Sequence, residues 1–266
     1  MEILSFKISG KMAHFRKYYA NNTAFSFSIP PRTTLMGIVA AAMGWSKDSY
    51  YEDLASENIQ FGIRILNPLK KSFHRLNFLS IKSTGDMTKY WSSDFRGEGG
   101  RIQTPFEVVT AWDLSKDNVA YQVFIKASDK GKTVYESIKT HFLEKEPVYN
   151  ITLGTANFTA RLADTEILSE ANVQTVDSKD YVLMNSAVPV DMVEDLKFDK
   201  EEYENYNFVE EDMLPGDFIA NGNREVRKMN RLLFSITPNP LRVKLNKPYY
   251  VLKNKTSELN IQFMDE

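Results

Sequence analysis

Nine consecutive residues, Leu35-Met36-Gly37-Ile38-Val39-Ala40-Ala41-Ala42-Met43, set the first constraint on this chain. Apolar side chains fall on every side of the helix they would form, so that helix has to be buried in the protein. It is far shorter than the ~20 apolar residues a membrane span needs. Its ends are marked in the sequence. Pro30 and Pro31 forbid a helix before them, Thr33 or Thr34 stands where it can cap the free amides, and Gly44 supplies a left-handed stop. Gly37, which costs about 1 kcal/mol in helix propensity, is expected to allow close backbone packing.

The segments around this helix alternate in a recognisable order. Residues 2–9 alternate apolar and polar as a half-buried strand. Gly10 to Pro31 is a long connection, too long to be idle in a compact domain. Tyr50–Ser56 reads as a second short helix. Gln60–Leu66 and Ser72–Lys82 read as strands, and so do Phe106–Trp112 and Val119–Ala127. Gly131–Leu143 is an amphipathic helix with Val134, Ile138 and Phe142 on one stripe. A further strand is expected at Phe158–Leu168. Between residues 82 and 105 lies a Gly-rich, basic and aromatic stretch without a lasting period, read as an inserted hairpin or loop. The order is that of a ferredoxin-like (RRM-like) β-α-β-β-α-β unit with one arm inserted, hence an α+β protein. From about residue 171 the chain is strand-rich, with candidates at Tyr181–Ala187, Leu232–Thr237 and Tyr249–Leu252. Residues 1–170 are therefore expected to form the ferredoxin-like part and 171–266 a strand-rich subdomain, with no linker between two independent cores.

Composition narrows the chemistry. There is no cysteine among the 266 residues, so disulfides and thiolate catalysis are excluded. The first residues lack the texture of a secretory signal, and a cytoplasmic protein is the expected setting. The net charge of −2 is unevenly spread. Eleven acids and two lysines between Asp191 and Asp217 give that segment −9, which leaves the remainder at +7. Affinity for phosphate follows the local patch and not the total. The acidic segment itself reads either as a solvated face or as a surface for a basic partner protein.

No Walker sequence and no Gly-x-Ser-x-Gly elbow is present. His14, His74 and His141 lack a carboxylate or second histidine at metal-ligand spacing, so no metal and no cofactor is expected. One catalytic route stays open. RNA is cleaved without metal when a base takes the 2′-hydroxyl proton and an acid protonates the leaving oxygen, and His14 or His74, beside Lys17 and Tyr18 or Lys71, could serve.

Two stretches carry a resemblance. The first is Gly10-Lys11-Met12-Ala13-His14-Phe15-Arg16, then Ile29-Pro30-Pro31-Arg32-Thr33-Thr34-Leu35-Met36-Gly37, then the small-residue helix to Met43-Gly44. The second is Pro147-Val148-Tyr149-Asn150-Ile151-Thr152-Leu153-Gly154. In order and spacing they resemble the Cas-five family, the CRISPR-associated RAMP subunits of Cascade surveillance complexes. The lack of a recognisable Lys-His catalytic pairing is more similar to the type I-B group than to the RNA-cleaving type I-C branch.

The resemblance implies a non-catalytic subunit in antiviral defence that caps the 5′ handle of the guide RNA (crRNA). It would abut the first backbone subunit, of the Cas-seven family, and the large subunit. The RNA contacts it implies are Arg16, Lys17, Tyr18, Tyr19, Arg32, Thr33, Thr34, Leu153 and Gly154. Cations would meet phosphates there, and aromatic rings would stack on unpaired bases. Residues 82–105 would form a thumb across the guide, with Lys89, Tyr90, Trp91, Phe95, Arg96 and Arg101. Arg224, Arg227, Lys228 and Arg231 form a second basic cluster. The alternatives are a metal-independent endoribonuclease that processes the guide precursor, and a protein interaction module without RNA contact.

Overall fold

The computed structural model describes residues 1–19, 23–79, 101–198, 209–220, 223–253 and 258–265. Strand β1 (Ile3–Gly10) buries Leu4, Phe6 and Ile8 on one side, as its alternation requires. Three minimal strands follow: β2 (Met12–Ala13), β3 (Phe15–Arg16) and β4 (Ser26–Phe27). Next come helix α1 (Arg32–Met43) and strand β5 (Ile59–Ile65). Strands β6 (Leu69–Leu79) and β7 (Arg101–Ala111) pair antiparallel from Leu69–Ala111 to Leu79–Arg101. Strand β8 (Val119–Ala127), helix α2 (Lys132–Glu144) and strand β9 (Ala160–Leu168) complete this part.

Strands β5, β8, β1 and β9 lie side by side in that order, each pair antiparallel. Helix α1 connects β1 to β5 and α2 connects β8 to β9, and both pack on one face of the sheet. Tyr135, Ile138 and Phe142 are the residues α2 buries, one position off the expected stripe at its first member. Among the described residues the fold is mostly strands with two helices, and no helix is long and apolar enough to cross a membrane.

Helix α1 departs from its expected cap. It starts at Arg32 behind Pro31, whose carbonyl accepts from Thr34 and Leu35, and no side chain caps it. Gly44 does end it, at φ 75°. The helix is not buried all round, because Thr34, Gly37 and Ala41 form a half-exposed stripe at helical spacing. At Gly37 the nearest neighbour of an added Cβ would be the Tyr50 hydroxyl at 3.4 Å, not another backbone.

Residues 50–56 form successive turns instead of the expected helix. The cause is tertiary. The Ser56 amide, which a helix would donate to the Glu52 carbonyl, donates to Asp217 instead, and the neighbouring Leu54 carbonyl accepts from Arg32 Nη2 at 2.6 Å.

The remaining strands are β10 (Val173–Val176), β11 (Val182–Met184), β12 (Val188–Pro189), β13 (Val193–Leu196), β14 (Val209–Phe218), β15 (Val226–Ser235), β16 (Leu241–Leu245), β17 (Tyr249–Lys253) and β18 (Glu258–Ile261). They form three three-stranded ladders, β10–β17–β18, β11–β16–β13 and β12–β15–β14. Ala187, Leu214, Leu232, Phe234 and Met264 from this part enter the same core as Phe6, Val39 and Val123.

Candidate nucleic-acid interface

The long connection after β1 is pinned from below by Glu107 of β7. Its carboxylate accepts from the Ser26 amide at 2.8 Å, and its carbonyl lies 2.7 Å from His14 Nδ1. The His14 amide donates to the Leu153 carbonyl at 3.0 Å, which ties the loop after α2 to the loop after β1. Gly154 makes that junction possible. It has φ 95°, and a Cβ there would stand 1.8 Å from the His14 carbonyl oxygen. The two stretches quoted from the sequence, some 140 positions apart, are thus one joined structure.

Together they form a cleft of about 710 Å³. One wall is the segment His14, Phe15, Arg16 and Tyr18. The floor is the first turn and small-residue stripe of α1, with Thr33, Thr34, Gly37 and Ala41. The far wall is Asn150, Thr152, Gly154 and Thr155. Tyr50, Tyr51, Phe78, Phe106 and the β14–β15 hairpin, through Pro215, Phe218, Arg224 and Val226, close the ends. The sequence reading had no signal for Tyr50, Tyr51, Phe78 or Phe218, because each is brought in by tertiary packing alone.

The expected site residues divide. Arg16 is exposed at the cleft and pairs with no acid among the described residues. Tyr18 and Tyr19 are both more than half exposed, their rings edge to face at 5.1 Å. Thr33 and Thr34 line the floor. Lys17 Nζ is held 2.5 Å from Asp212 Oδ2, and both side chains are largely covered. Burial opposes that lysine's charge, but the Asp212 and Tyr19 hydrogen bonds outweigh it and raise its pKa. Leu153 is fully buried in the core and presents only its backbone.

Arg32 is a correction. Its side chain is wholly buried. Nη1 donates to Asp217 Oδ1 at 2.5 Å and to the Gly216 carbonyl at 3.2 Å. Nη2 donates to the Leu54 and Ile59 carbonyls, each at 2.6 Å. Nε lies 2.6 Å from Asp265 Oδ1 as an ion pair without hydrogen-bond alignment. The guanidinium lies 5.2 Å from the centre of the Phe61 ring. The cation next to the double proline is an internal clasp, not a phosphate contact.

The end of the acidic segment is corrected in the same way. On β14, Asp212 pairs with Lys17, Glu210 with Lys71, Glu211 with Arg231 and Asp217 with Arg32. These acids are neither merely solvated nor waiting for a basic partner. The second basic cluster is also engaged: Arg224 with Asp48 at 3.0 Å, Arg227 with Glu52 at 3.4 Å, and Lys228 with the Asp265 carbonyl at 3.3 Å. Of this cluster, Arg224 lines the cleft.

His14 is 2% exposed and stacks on Phe106 at 3.9 Å. Burial, aided by the charge of Arg16, holds its pKa below the ordinary value of 6.5 despite the bond to the Glu107 carbonyl. His74 is exposed on β6, its Nε2 3.1 Å from Ser72 Oγ. Among the described residues no group of three or more histidines and acids is arranged to hold a metal. Lys89, Tyr90, Trp91, Phe95 and Arg96 lie outside the described residues, and Arg101 opens β7 opposite Leu79.

An antiparallel four-stranded sheet under two helices, with a polar and aromatic cleft at the helix start, makes an α+β fold. It is similar over 99% of both chains to the crystal structure of a CRISPR protein from Archaeoglobus fulgidus, at 13% identity and a TM-score of 0.56. The chain belongs to the CRISPR-associated Cas5 family, whose model matches residues 3–227. A chain of a CRISPR RNA-guided surveillance complex is similar at 14% identity, with 90% of this chain and 91% of that one covered and a TM-score of 0.45. No curated protein matches the sequence.

Proposed function

We propose that this Cas5-family chain is a non-catalytic subunit of a type I Cascade surveillance complex, and that the 710 Å³ cleft grips the 5′ handle of the crRNA. The observation that carries this reading is the joining of the two family motifs in one cleft through the His14–Leu153 bond and Gly154. Arg16 supplies a cation that no acid among the described residues neutralises, Tyr18 a ring for an unpaired base, and Thr33 and Thr34 hydroxyls at the start of α1. The amides of that first turn favour an anion. In this reading the fold is ferredoxin-like, a view supported by the sheet order and by a helix after the first and third strands of the sheet. The β6–β7 hairpin is the stem of the thumb, and the backbone subunit of the Cas-seven family and the large subunit are the protein neighbours.

The non-catalytic assignment is supported by His14. Its ring is sealed against Phe106, and Lys17 beside it is neutralised by Asp212, so neither stands ready to move a proton on RNA. The test is to incubate the purified chain without metal with its host's 5′-labelled repeat RNA and follow binding and cleavage together. Handle binding that falls about tenfold in Arg16→Gln and Tyr18→Ala, with the RNA intact, is the expected result. Specific cleavage that disappears in His14→Ala or His74→Ala would instead establish the processing enzyme. Unchanged affinity after removal of Arg16 and Tyr18 would favour the interaction module.

A further inference from the structure

The sheet β5–β8–β1–β9 has two faces, and only the helix face is fully covered. On the other face the β17–β18 ladder covers Ile3, Phe124 and Leu168 with Leu252, Ile261 and Phe263. The rest of that face is an open cleft of about 470 Å³, bordered by Leu259. Register places Arg64, Gln122 and Lys7 side by side across β5, β8 and β1. Since Phe6, Val123 and Ile63 point to the helices, these neighbours point into the cleft.

The three are not equally satisfied. Lys7 Nζ is 2.9 Å from Asp164 Oδ2. Gln122 is nearly buried and donates to Ser5 Oγ at 3.0 Å. Arg64 is half-buried, has no ion pair among the described residues, and its enclosed Nε has no acceptor. Burial alone lowers its pKa, with no carboxylate to offset it. A guanidinium has five donors and no acceptor, and stripping it of water without an anion is unfavourable. Arg32, Lys17 and Lys71, comparably covered or more so, all have acids at hand.

The opposite edge of the cleft has the other sign. A register shift between Ser5 and Lys7 bulges β9, Asp164 takes φ 50°, and Asp164, Thr165 and Glu166 line that end. Arg64 on β5 and Glu166 on β9 are three strand spacings apart across the sheet and two residues apart along it, roughly 16 Å in all. We infer that this half of the sheet is a docking site for an extended partner polypeptide, which presents a carboxylate to Arg64 and a cation toward Glu166. Charge complementarity selects that occupant. A nucleic acid fits poorly, because among the described residues no aromatic ring lines the cleft, and its acidic edge repels phosphates. At about 3.3 Å per extended residue, the partner's acid and base stand about four to five residues apart.

The probe is the peptide acetyl-Glu-Gly-Ser-Gly-Lys-amide, titrated into the full chain with nitrogen-15-labelled arginine while the Arg64 Nε–H resonance is followed. Its Gln-for-Glu counterpart and a short oligouridine are titrated in parallel. The expected result is a saturable Arg64 shift with the Glu peptide and binding at least tenfold weaker with the Gln peptide. Arg64→Gln should weaken the Glu peptide to the same degree, while Arg64→Lys retains part of it. Equal affinity for the two peptides, no Arg64 shift with either, or a larger shift with oligouridine would each overturn the inference. The peptide comparison needs no variant, so it stands even where Arg64→Gln fails to fold.

Discussion

Replacing Arg32 by methionine tests the clasp at the centre of this structure. The side chain is 0% exposed, and it holds together the start of α1, the turns before β5, the β14–β15 hairpin and the segment after β18. Arg32→Met takes the Arg32 donors from the Leu54 and Ile59 carbonyls and removes the buried cation from two buried carboxylates, Asp217 and Asp265, leaving them neutral donors such as the Ser56 and Phe61 amides close by. Removing one partner of a buried pair costs about 3–5 kcal/mol. Against a domain stability of about 5–15 kcal/mol that is a large share. It corresponds to a fall in melting temperature of roughly 10 °C in a protein of this size. The loss has a pH signature. Burial already raises the Asp265 pKa, in spite of Arg32 and the Phe61 amide. Without the arginine it rises further, so the folded variant holds a proton that the unfolded chain releases. The deficit therefore grows as pH rises above the parent's own raised Asp265 pKa, where the variant still holds the proton, and shrinks in acid. Urea denaturation at pH 5 and pH 8 measures both quantities. Arg32→Met combined with Asp217→Asn and Asp265→Asn should recover about half the loss. A deficit below about 1 kcal/mol, or one that does not change with pH, would refute the clasp. At temperatures where the variant is folded, its RNA affinity should match the parent's.

Gly154→Ala places a methyl 1.8 Å from the His14 carbonyl and forces φ 95° on a side-chain residue, so a loss of about 3 kcal/mol or more and a displaced cleft wall are expected in thermal melts and handle-RNA titrations. Asp212→Asn should release Lys17, raising handle affinity about threefold at low salt while lowering stability by about 1 kcal/mol; unchanged affinity would show that Lys17 does not reach the RNA. Arg16→Gln should lower the slope of log affinity against log salt by about 1, measured by fluorescence anisotropy. His14 has a folded pKa below 6.5, so its contribution to stability is complete above that value and lost as pH falls below it, by up to about 1.4 kcal/mol per pH unit. Denaturation midpoints of His14→Asn between pH 7 and pH 5 should consequently show a flatter profile than the parent.

Much of the architecture was legible because local chemistry sets it. The alternation of Leu4, Phe6 and Ile8, the stop at Gly44 and the stripe through Ile138 and Phe142 each follow from short-range periodicity and backbone preference. Residues 50–56 misled because Asp217 took the Ser56 amide, which a helix would have used. Tertiary hydrogen bonds override propensities worth only tenths of a kcal/mol per residue.

Charge was the least legible quantity. The sequence by itself determined how many cations stand near the N-terminus and how many acids fall between Asp191 and Asp217, and its residues 3–227 match the Cas5 family model. Only the tertiary structure decided which of those charges meet. Strand β14 carries Asp212 to Lys17 and Asp217 to Arg32 across more than 180 positions, and leaves Arg16 and Arg64 without acids among the described residues. The physical reason is that a Coulomb pair depends on distance and on the water excluded around it, and neither is a property of neighbours along the chain.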